Sequence, residues 1–283
     1  DIVFRRSTDN GITWSAMEVM DPITDGGCSD PSLVLDRETG ELFCFYNYMS
    51  SDKSINEYRF ILQKSIDHGK TWGKPIDFTE QVAGPELKNS FKFITSGRGI
   101  QTSDGTLLHN YVQVGKGVTV IASTDHGKSW SAVVDVPHGD ESKLVELADG
   151  SLMINSRIAP GRRNVHRSQD GGKTWSTEAD FSLCDPRCNA SIIRYPAGLH
   201  GNESELLLFC NAASNSGRKN LSVRFSKDNG DTWSAGSVID SGPSAYSELD
   251  ILADGKLIVV YEPGHSEIRA ATFELGELLS PKK

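Results

Sequence analysis

No apolar run in these 283 residues reaches the roughly 18 that a membrane-crossing helix needs, and no low-complexity tract interrupts the chain. Basic residues are in deficit, 29 Lys and Arg against 38 Asp and Glu for a net charge of −9, and they are scattered rather than gathered into an arm. That balance works against nonspecific nucleic-acid binding and leaves a local arginine cluster as the way to hold an anionic ligand. Cysteine is sparse and odd in number: Cys28, Cys44, Cys184, Cys188 and Cys210, with one close pair in "CDPRC". No second Cys/His pair stands at zinc-ligand spacing, so no metal and no cofactor is expected. Disulfide and free thiols both remain open for the pair. The opening "DIVFRRSTDNG" offers neither an initiator Met nor a signal peptide and enters a strand at once. The expectation is a chain truncated at its N-terminus, with residues 1–283 forming a single domain that no linker divides.

What the sequence does have is one octapeptide five times. "STDNGITW", "SIDHGKTW", "STDHGKSW", "SQDGGKTW" and "SKDNGDTW" start at Ser7, Ser65, Ser123, Ser168 and Ser226, at intervals of 58, 58, 45 and 58 residues. Recurrence at that spacing predicts a repeat architecture whose unit holds several strands. In each copy Asp accepts backbone hydrogen bonds and Gly supplies the positive φ of a tight hairpin. All five tryptophans close these boxes, each expected to be a wedge packed against its own sheet. The boxes are therefore folding elements rather than a glycan or metal site.

Between the boxes lie hairpin signals, "LDRETGELFCF", "IQTSDGTLLHNY", "VELADGSLMIN" and "DILADGKLIVVY", with a looser version in "SIIRYPAGLHGNESELLLF". Apolar periodicity near two, many turn residues and few helix-length amphipathic stretches predict an all-β chain. One unit is then a hairpin of strands A and B followed by strands C and D joined at a box, which is a four-stranded propeller blade. The expected count is six blades: a first with only its C and D strands, four complete ones, and a last ending in "EIRAATFEL".

Strand alternation puts every box at one end of the blades and the starts of A, the ends of B and the starts of C at the other. Asp30, Glu141, Asn189 and Tyr246 stand just before A strands in "DPSLVL", "ESKLVEL", "NASII" and "YSELDIL". Arg157 and Glu262 each follow a hairpin glycine, Gly150 or Gly255, by seven residues, at equivalent ends of B strands, and Arg218 follows another B strand in a loop. Polar groups thus converge on one mouth, where a propeller keeps its ligand site.

With these residues in view, the whole chain resembles the exo-α-sialidases, or neuraminidases, of the bacterial and animal non-viral type. The five Asp boxes carry this, with "GDESKLVELADGSLMINSR", "CNASII", "SNSGRKNLSVRFSKDNGDTW" and "SAYSELDILADGKLIVVYEPG". The resemblance implies a six-bladed propeller that removes terminal sialic acid from glycoproteins, glycolipids or oligosaccharides with retention at the anomeric carbon. Tyr246 is then the nucleophile and Glu141 its general base, the two facing each other across the mouth. Arg157 and Arg218 are two of the three arginines that clamp the substrate carboxylate, Glu262 orients the remaining arginine, and Asp30 contacts the glycerol or N-acetyl side of the sugar. It also implies sialylated glycans as partners and action outside the cytoplasm, as a secreted, periplasmic or cell-surface protein.

The residue types suit that chemistry, because sialic acid bears a carboxylate on the carbon that is attacked. An anionic nucleophile would be repelled by it, whereas a neutral Tyr deprotonated by a neighbouring Glu would not; sialidases are a known exception to the two-carboxylate pattern of glycosidases. Arginine forks bind a carboxylate bidentately and stay charged. The chain departs from the family in lacking its first triad arginine, in an F-R-I-P-like strand, and its acid/base aspartate; Asp1 is not given that role. Two other readings stay open, a trans-sialidase or anhydro-forming variant, and a non-catalytic propeller that binds sialoglycans or a protein.

Overall fold

A computed structural model of the chain describes residues 1–52, 54, 57–85, 90–264 and 267–280. Contacts divide it into two compact units, one of residues 1–6, 14–144 and 169–175 and the other of residues 7–13, 145–168 and 176–283. Both are built almost wholly of antiparallel strands.

In the first unit β1 (Ile2–Phe4) and β2 (Glu18–Asp21) form a two-stranded ribbon. The meander β3 (Gly26–Leu35), β4 (Leu42–Ser50), β5 (Tyr58–Ser65) and β6 (Ile76–Asp77) follows, with a short parallel strand at Gly97–Arg98 beside β3. After a helix, α1 (Thr79–Ala83), come β7 (Lys92–Ile94), β8 (Gly97–Arg98) and β9 (Ile100–Gln101), then β10 (Leu107–Gln113), β11 (Gly117–Ser123) and β12 (Ser131–Pro137). β10 pairs with β7, β9 and β11, and β11 with β12. The core is aromatic: Phe45 meets Phe78 at 5.6 Å and Trp130 at 5.1 Å between ring centroids, both edge to face. Such contacts add about 0.5–1.5 kcal/mol each beyond area burial.

β13 (Ser142–Glu146) runs from the first unit into the second and heads the order β13, β14 (Leu152–Arg157), β15 (Arg163–Ser168), β16 (Ser176–Asp180). The next meander is β17 (Ser191–Tyr195), β18 (Leu206–Ala212), β19 (Lys219–Ser226) and β20 (Ser237–Pro243). The last is β21 (Ser247–Ile251), β22 (Leu257–Tyr261) and β23 (Arg269–Phe273), followed by α2 (Leu275–Leu279). β18, LLLFCNA, is buried along its whole length because Leu206, Leu208 and Cys210 on one face and Leu207 and Phe209 on the other enter two core clusters, whereas the edge strand β16, STEAD, is polar and exposed. Polar outer strands are how sheets keep their edges from pairing with other chains.

The all-β expectation of propeller-blade meanders is met, but the count of six is corrected. Among the described residues five sheets have three or more strands, and β1 with β2, expected as the C and D strands of a first blade, is a two-stranded ribbon and not a sixth blade.

The boxes fold as their chemistry predicts. In the copy at Ser226, Ser226 Oγ donates to Asp228 Oδ1 at 2.7 Å and accepts from Gly230 N at 2.8 Å. Asp228 in turn accepts from Thr232 N at 2.9 Å and Thr232 Oγ1 at 2.6 Å. The residue before each box glycine is left-handed too, at Asn10, His68, His126 and Asn229 among the non-glycines. The tryptophans are less uniform than expected. Trp130 is buried and Trp72 and Trp233 are half-buried against Phe4 and Phe209, but Trp14 is 42% exposed and so is no wedge.

Candidate functional site

The second unit brings four of the six expected site residues together. Arg157 ends β14, Arg218 closes the loop before β19, Tyr246 immediately precedes β21, and Glu262 immediately follows β22. Backbone pairing carries the β21–β22 ladder one step beyond the strands, with Glu262 N donating to Tyr246 O at 3.0 Å and Ala245 N to Glu262 O at 2.7 Å. This fixes the main chain that bears Tyr246. Arg157 Nη1 donates to Tyr246 Oη at 3.2 Å, and the Arg218 guanidinium lies 5.4 Å from the Tyr246 ring centroid. Tyr246 and Arg157 are half-buried and Arg218 is exposed. Two cations therefore converge on one phenol, with water able to reach the Arg218 end.

Glu262 has a contact that the sequence reading did not assign: its Oε2 accepts from Tyr246 N at 3.4 Å. In the structure it steadies the tyrosine's own main chain. Arg218 is steadied in turn by its Nη2 donating to the carbonyl of Arg187 at 3.4 Å, and by Ser244 N donating to its own carbonyl at 3.0 Å.

Asp30 and Glu141 belong to the first unit. Glu141 stands one residue before β13, as expected, and is only 2% exposed, with its N donating to Asp140 Oδ1 at 2.8 Å. Asp30 does not precede its strand. β3 already begins at Gly26, and Asp30 sits inside it with φ +55° where the pairing with β4 shifts between Ser29 and Ser32. Ser29 to Ser32 is three residues and Asn47 to Phe45 only two, so one residue is extra; Pro31, unable to donate to a ladder, suits such a bulge. The bulged Asp30 Oδ2 accepts from Ser29 Oγ at 2.7 Å and Asn47 Nδ2 at 3.2 Å.

The sequence reading missed a buried ion pair next to Arg157. Arg163, its cross-strand partner in β15, has Nη1 3.0 Å from Asp185 Oδ2, and both side chains are fully buried. Arg163 also donates to Asn155 Oδ1 at 2.6 Å and to the Cys188 carbonyl at 2.7 Å, while Asp185 accepts from Cys188 N at 2.8 Å and Asn211 Nδ2 at 3.1 Å. The "CDPRC" segment is thus held by its aspartate rather than by its thiols. All five cysteines are free, so of the two forms open for Cys184 and Cys188 the thiols are present. Among the described residues no group of three or more His, Cys, Asp or Glu could hold a metal ion, and no helix is long and apolar enough to cross a membrane.

Propeller-type blades place the chain among the β-propeller proteins, and one tyrosine in it is contacted by two arginines. Comparison with known proteins narrows it: residues 1–259 match the family model of the BNR repeat-like domain, and the chain belongs to that family. It is 36% identical to a sialidase of Micromonospora viridifaciens over 308 aligned residues, covering 98% of this chain and 47% of that protein. A sialidase of Bacteroides fragilis strain YCH46 is 31% identical over 315 aligned residues, covering 98% of this chain and 56% of that protein. Among solved structures, the Hadza microbial sialidase Hz136 superposes with a TM-score of 0.88 at 29% identity, covering 98% of this chain and 60% of that one. The chain spans about half the length of the curated relatives it matches.

Proposed function

We propose that the chain carries the catalytic domain of a retaining exo-α-sialidase acting on terminal α-linked sialic acids of glycans. The observation that carries this reading is the pair of guanidiniums on one phenol, Arg157 at 3.2 Å from Tyr246 Oη and Arg218 at 5.4 Å from its ring. A substrate carboxylate attached to the reacting carbon would bind the arginines and so bring that carbon to the tyrosine oxygen. Holding both partners in one geometry turns attack into an effectively unimolecular step.

In this mechanism Tyr246 Oη attacks the anomeric carbon, its proton passes to the Glu141 carboxylate, and the bond to the leaving sugar oxygen breaks as that oxygen takes a proton from solvent. Water then attacks the same carbon from the face the leaving group vacated and returns a proton to solvent, the phenol leaves with the proton from Glu141, and the configuration is retained overall. The role of Glu141 rests on its motif, GDESKLVELADG. Asp30 would meet the glycerol or N-acetyl side of the sugar, its carboxylate presented by the bulge. Residues 1–283 act as one domain in this reading, outside the cytoplasm where sialylated glycans are displayed.

The test is release of sialic acid from a fluorogenic α-sialoside by the full-length protein between pH 4 and 8, with the anomer first formed followed by proton NMR. The α-anomer is expected first; a folded protein without turnover, or one that gives the β-anomer first, would falsify the proposal.

A further inference from the structure

Three side chains of the second unit that the mechanism does not use lie on loops tied to the one whose main chain meets Arg218. Gly161 N donates to Asp185 O at 2.7 Å, which ties the turn after β14 to the segment after β16. Beside this tie the Arg162 guanidinium lies 5.4 Å from the centroid of the Phe181 ring, and Arg162 Nε is buried without a hydrogen-bond partner. Phe181 itself is 70% exposed. Arg187, left-handed at φ +67°, turns its carbonyl to Arg218 and is exposed at the surface. The segment that bears Phe181 and Arg187 is anchored by the buried Arg163–Asp185 pair.

We infer that Phe181, Arg162 and Arg187 form a subsite for the sugar on the leaving side of the scissile bond, and that this sugar carries an anionic group, a sulfate or the carboxylate of a second sialic acid. The inference rests on the sialidase reading. An open aromatic face backed by a guanidinium stacks on the apolar face of a hexose. With Arg218 assigned to the scissile residue's carboxylate, Arg187 and Arg162 are the guanidiniums of the second anion site, and guanidiniums bind carboxylates and sulfates. Of the acids on this segment Asp185 is paired with Arg163, and Asp180, held by Ser182 N at 2.8 Å and Ser182 Oγ at 2.6 Å, leaves one negative charge to set against the arginines. In a chain of net charge −9, three arginines at one rim reverse the local sign toward which an anionic glycan is drawn.

The experiment compares kcat/KM of the full-length protein on a small fluorogenic sialoside, on sialyllactose, on a sulfated sialyllactose and on disialylated lactose. Wild type is expected to prefer one or both anionic aglycones over sialyllactose at low salt and to lose the preference at high salt; the arm that responds identifies sulfate or carboxylate as the source. Arg187→Gln and Arg162→Gln should each lower kcat/KM on the preferred anionic glycan by about fivefold, the scale of one exposed charge pair; Arg162→Gln should leave the fluorogenic substrate unchanged, and Arg187→Gln should lower the anionic glycan more than the fluorogenic one. Phe181→Ala should weaken every glycan aglycone and spare the fluorogenic one. Equal rates on neutral and anionic aglycones, or variants that slow all substrates alike, overturn the subsite. Should wild type release no sialic acid from any substrate, the sialidase reading fails, and titration with lactose sulfate by NMR decides the subsite by itself: perturbation of the Phe181 ring that Arg187→Gln abolishes supports it, and absence of binding overturns it.

Discussion

Arg157 and Tyr246, 89 residues apart in the chain, meet through a 3.2 Å hydrogen bond from guanidinium to phenol oxygen. The donor therefore occupies one side of the oxygen that the mechanism needs as a nucleophile, and a bound carboxylate would compete for the same fork. Arg157→Ala should lower kcat/KM by the equivalent of about 2–4 kcal/mol, the scale of truncating one partner of a desolvated charged pair. Arg157→Lys should recover only part of this, because an ammonium keeps the charge and loses the planar fork. The affinity for free sialic acid, measured by calorimetry, should fall in parallel; an unchanged affinity would remove Arg157 from the carboxylate clamp.

Stability hangs on a different arginine. Arg163 and Asp185 are fully buried 3.0 Å apart, and removing one partner strands a charge whose solvation was given up on folding. Asp185→Ala should cost about 3–5 kcal/mol in chemical denaturation. Replacing both by apolar residues of similar volume should cost far less than that single change, since no charge is then left unpaired. A double variant as unstable as Asp185→Ala would show that the hydrogen bonds to Asn155, Asn211 and Cys188 matter more than the ion pair.

How much of this was legible in the sequence follows from how local each feature is. The Asp boxes could be read because their hydrogen bonds close within the octapeptide, as between Asp228 and Thr232. Tyr246, Glu141, Arg157, Arg218 and Glu262 could be placed at strand ends because alternation and hairpin glycines fix the ends of strands. Asp30 could not, because its bulge exists only in the pairing of β3 with β4. The blade count overshot because one box with its C and D strands was counted as a first blade, and among the described residues no further strand pairs with β1 or β2 to make it one. Arg163 and Asp185, 22 residues apart, gave no periodic signal, and the two cysteines around Asp185 drew attention to thiols instead of to the carboxylate. The fate of Trp14 against Trp130 depends likewise on which side chains lie beneath each ring.

A pH dependence of stability is expected from His109. Its Nδ1 accepts from Asn110 N at 2.7 Å, so the neutral ring carries its proton on Nε2 and donates to Ser32 Oγ at 2.6 Å. Burial, and after it the charge of Lys143, pushes its pKa down to about 3. The unfolded chain, with an ordinary histidine near 6.5, takes up a proton that the folded chain refuses. The contribution is thus fully present above about pH 6.5 and is lost as pH falls from there toward 3, at up to about 1.4 kcal/mol per pH unit. His109→Gln can still donate to Ser32 and does not titrate. Unfolding free energies in urea at pH 4.5, 5.5 and 7 should fall less steeply toward acid for the variant, by a slope equivalent to about one proton. Parallel curves for the two proteins would mean that His109 is protonated in the fold.

The sharpest kinetic prediction concerns Tyr246 and Glu141, which precede β21 and β13 by one residue each. Tyr246→Phe removes the attacking oxygen and keeps the ring that Arg218 covers; Glu141→Gln removes the base and keeps the shape of a buried side chain. If the two act as one unit, each single variant loses nearly all that the pair contributes, and the double variant should be scarcely slower than the worse single one. The fluorogenic α-sialoside isolates this step from aglycone binding, so kcat for wild type, both singles and the double closes the cycle. Independent groups would instead multiply their effects, and a Tyr246→Phe protein near wild-type rate would take the phenol out of the mechanism. Either result would overturn the nucleophile–base pair; only a folded wild type without turnover would favour a glycan-binding propeller, since binding a sialic acid needs Arg157 and Arg218 but neither a nucleophile nor its base.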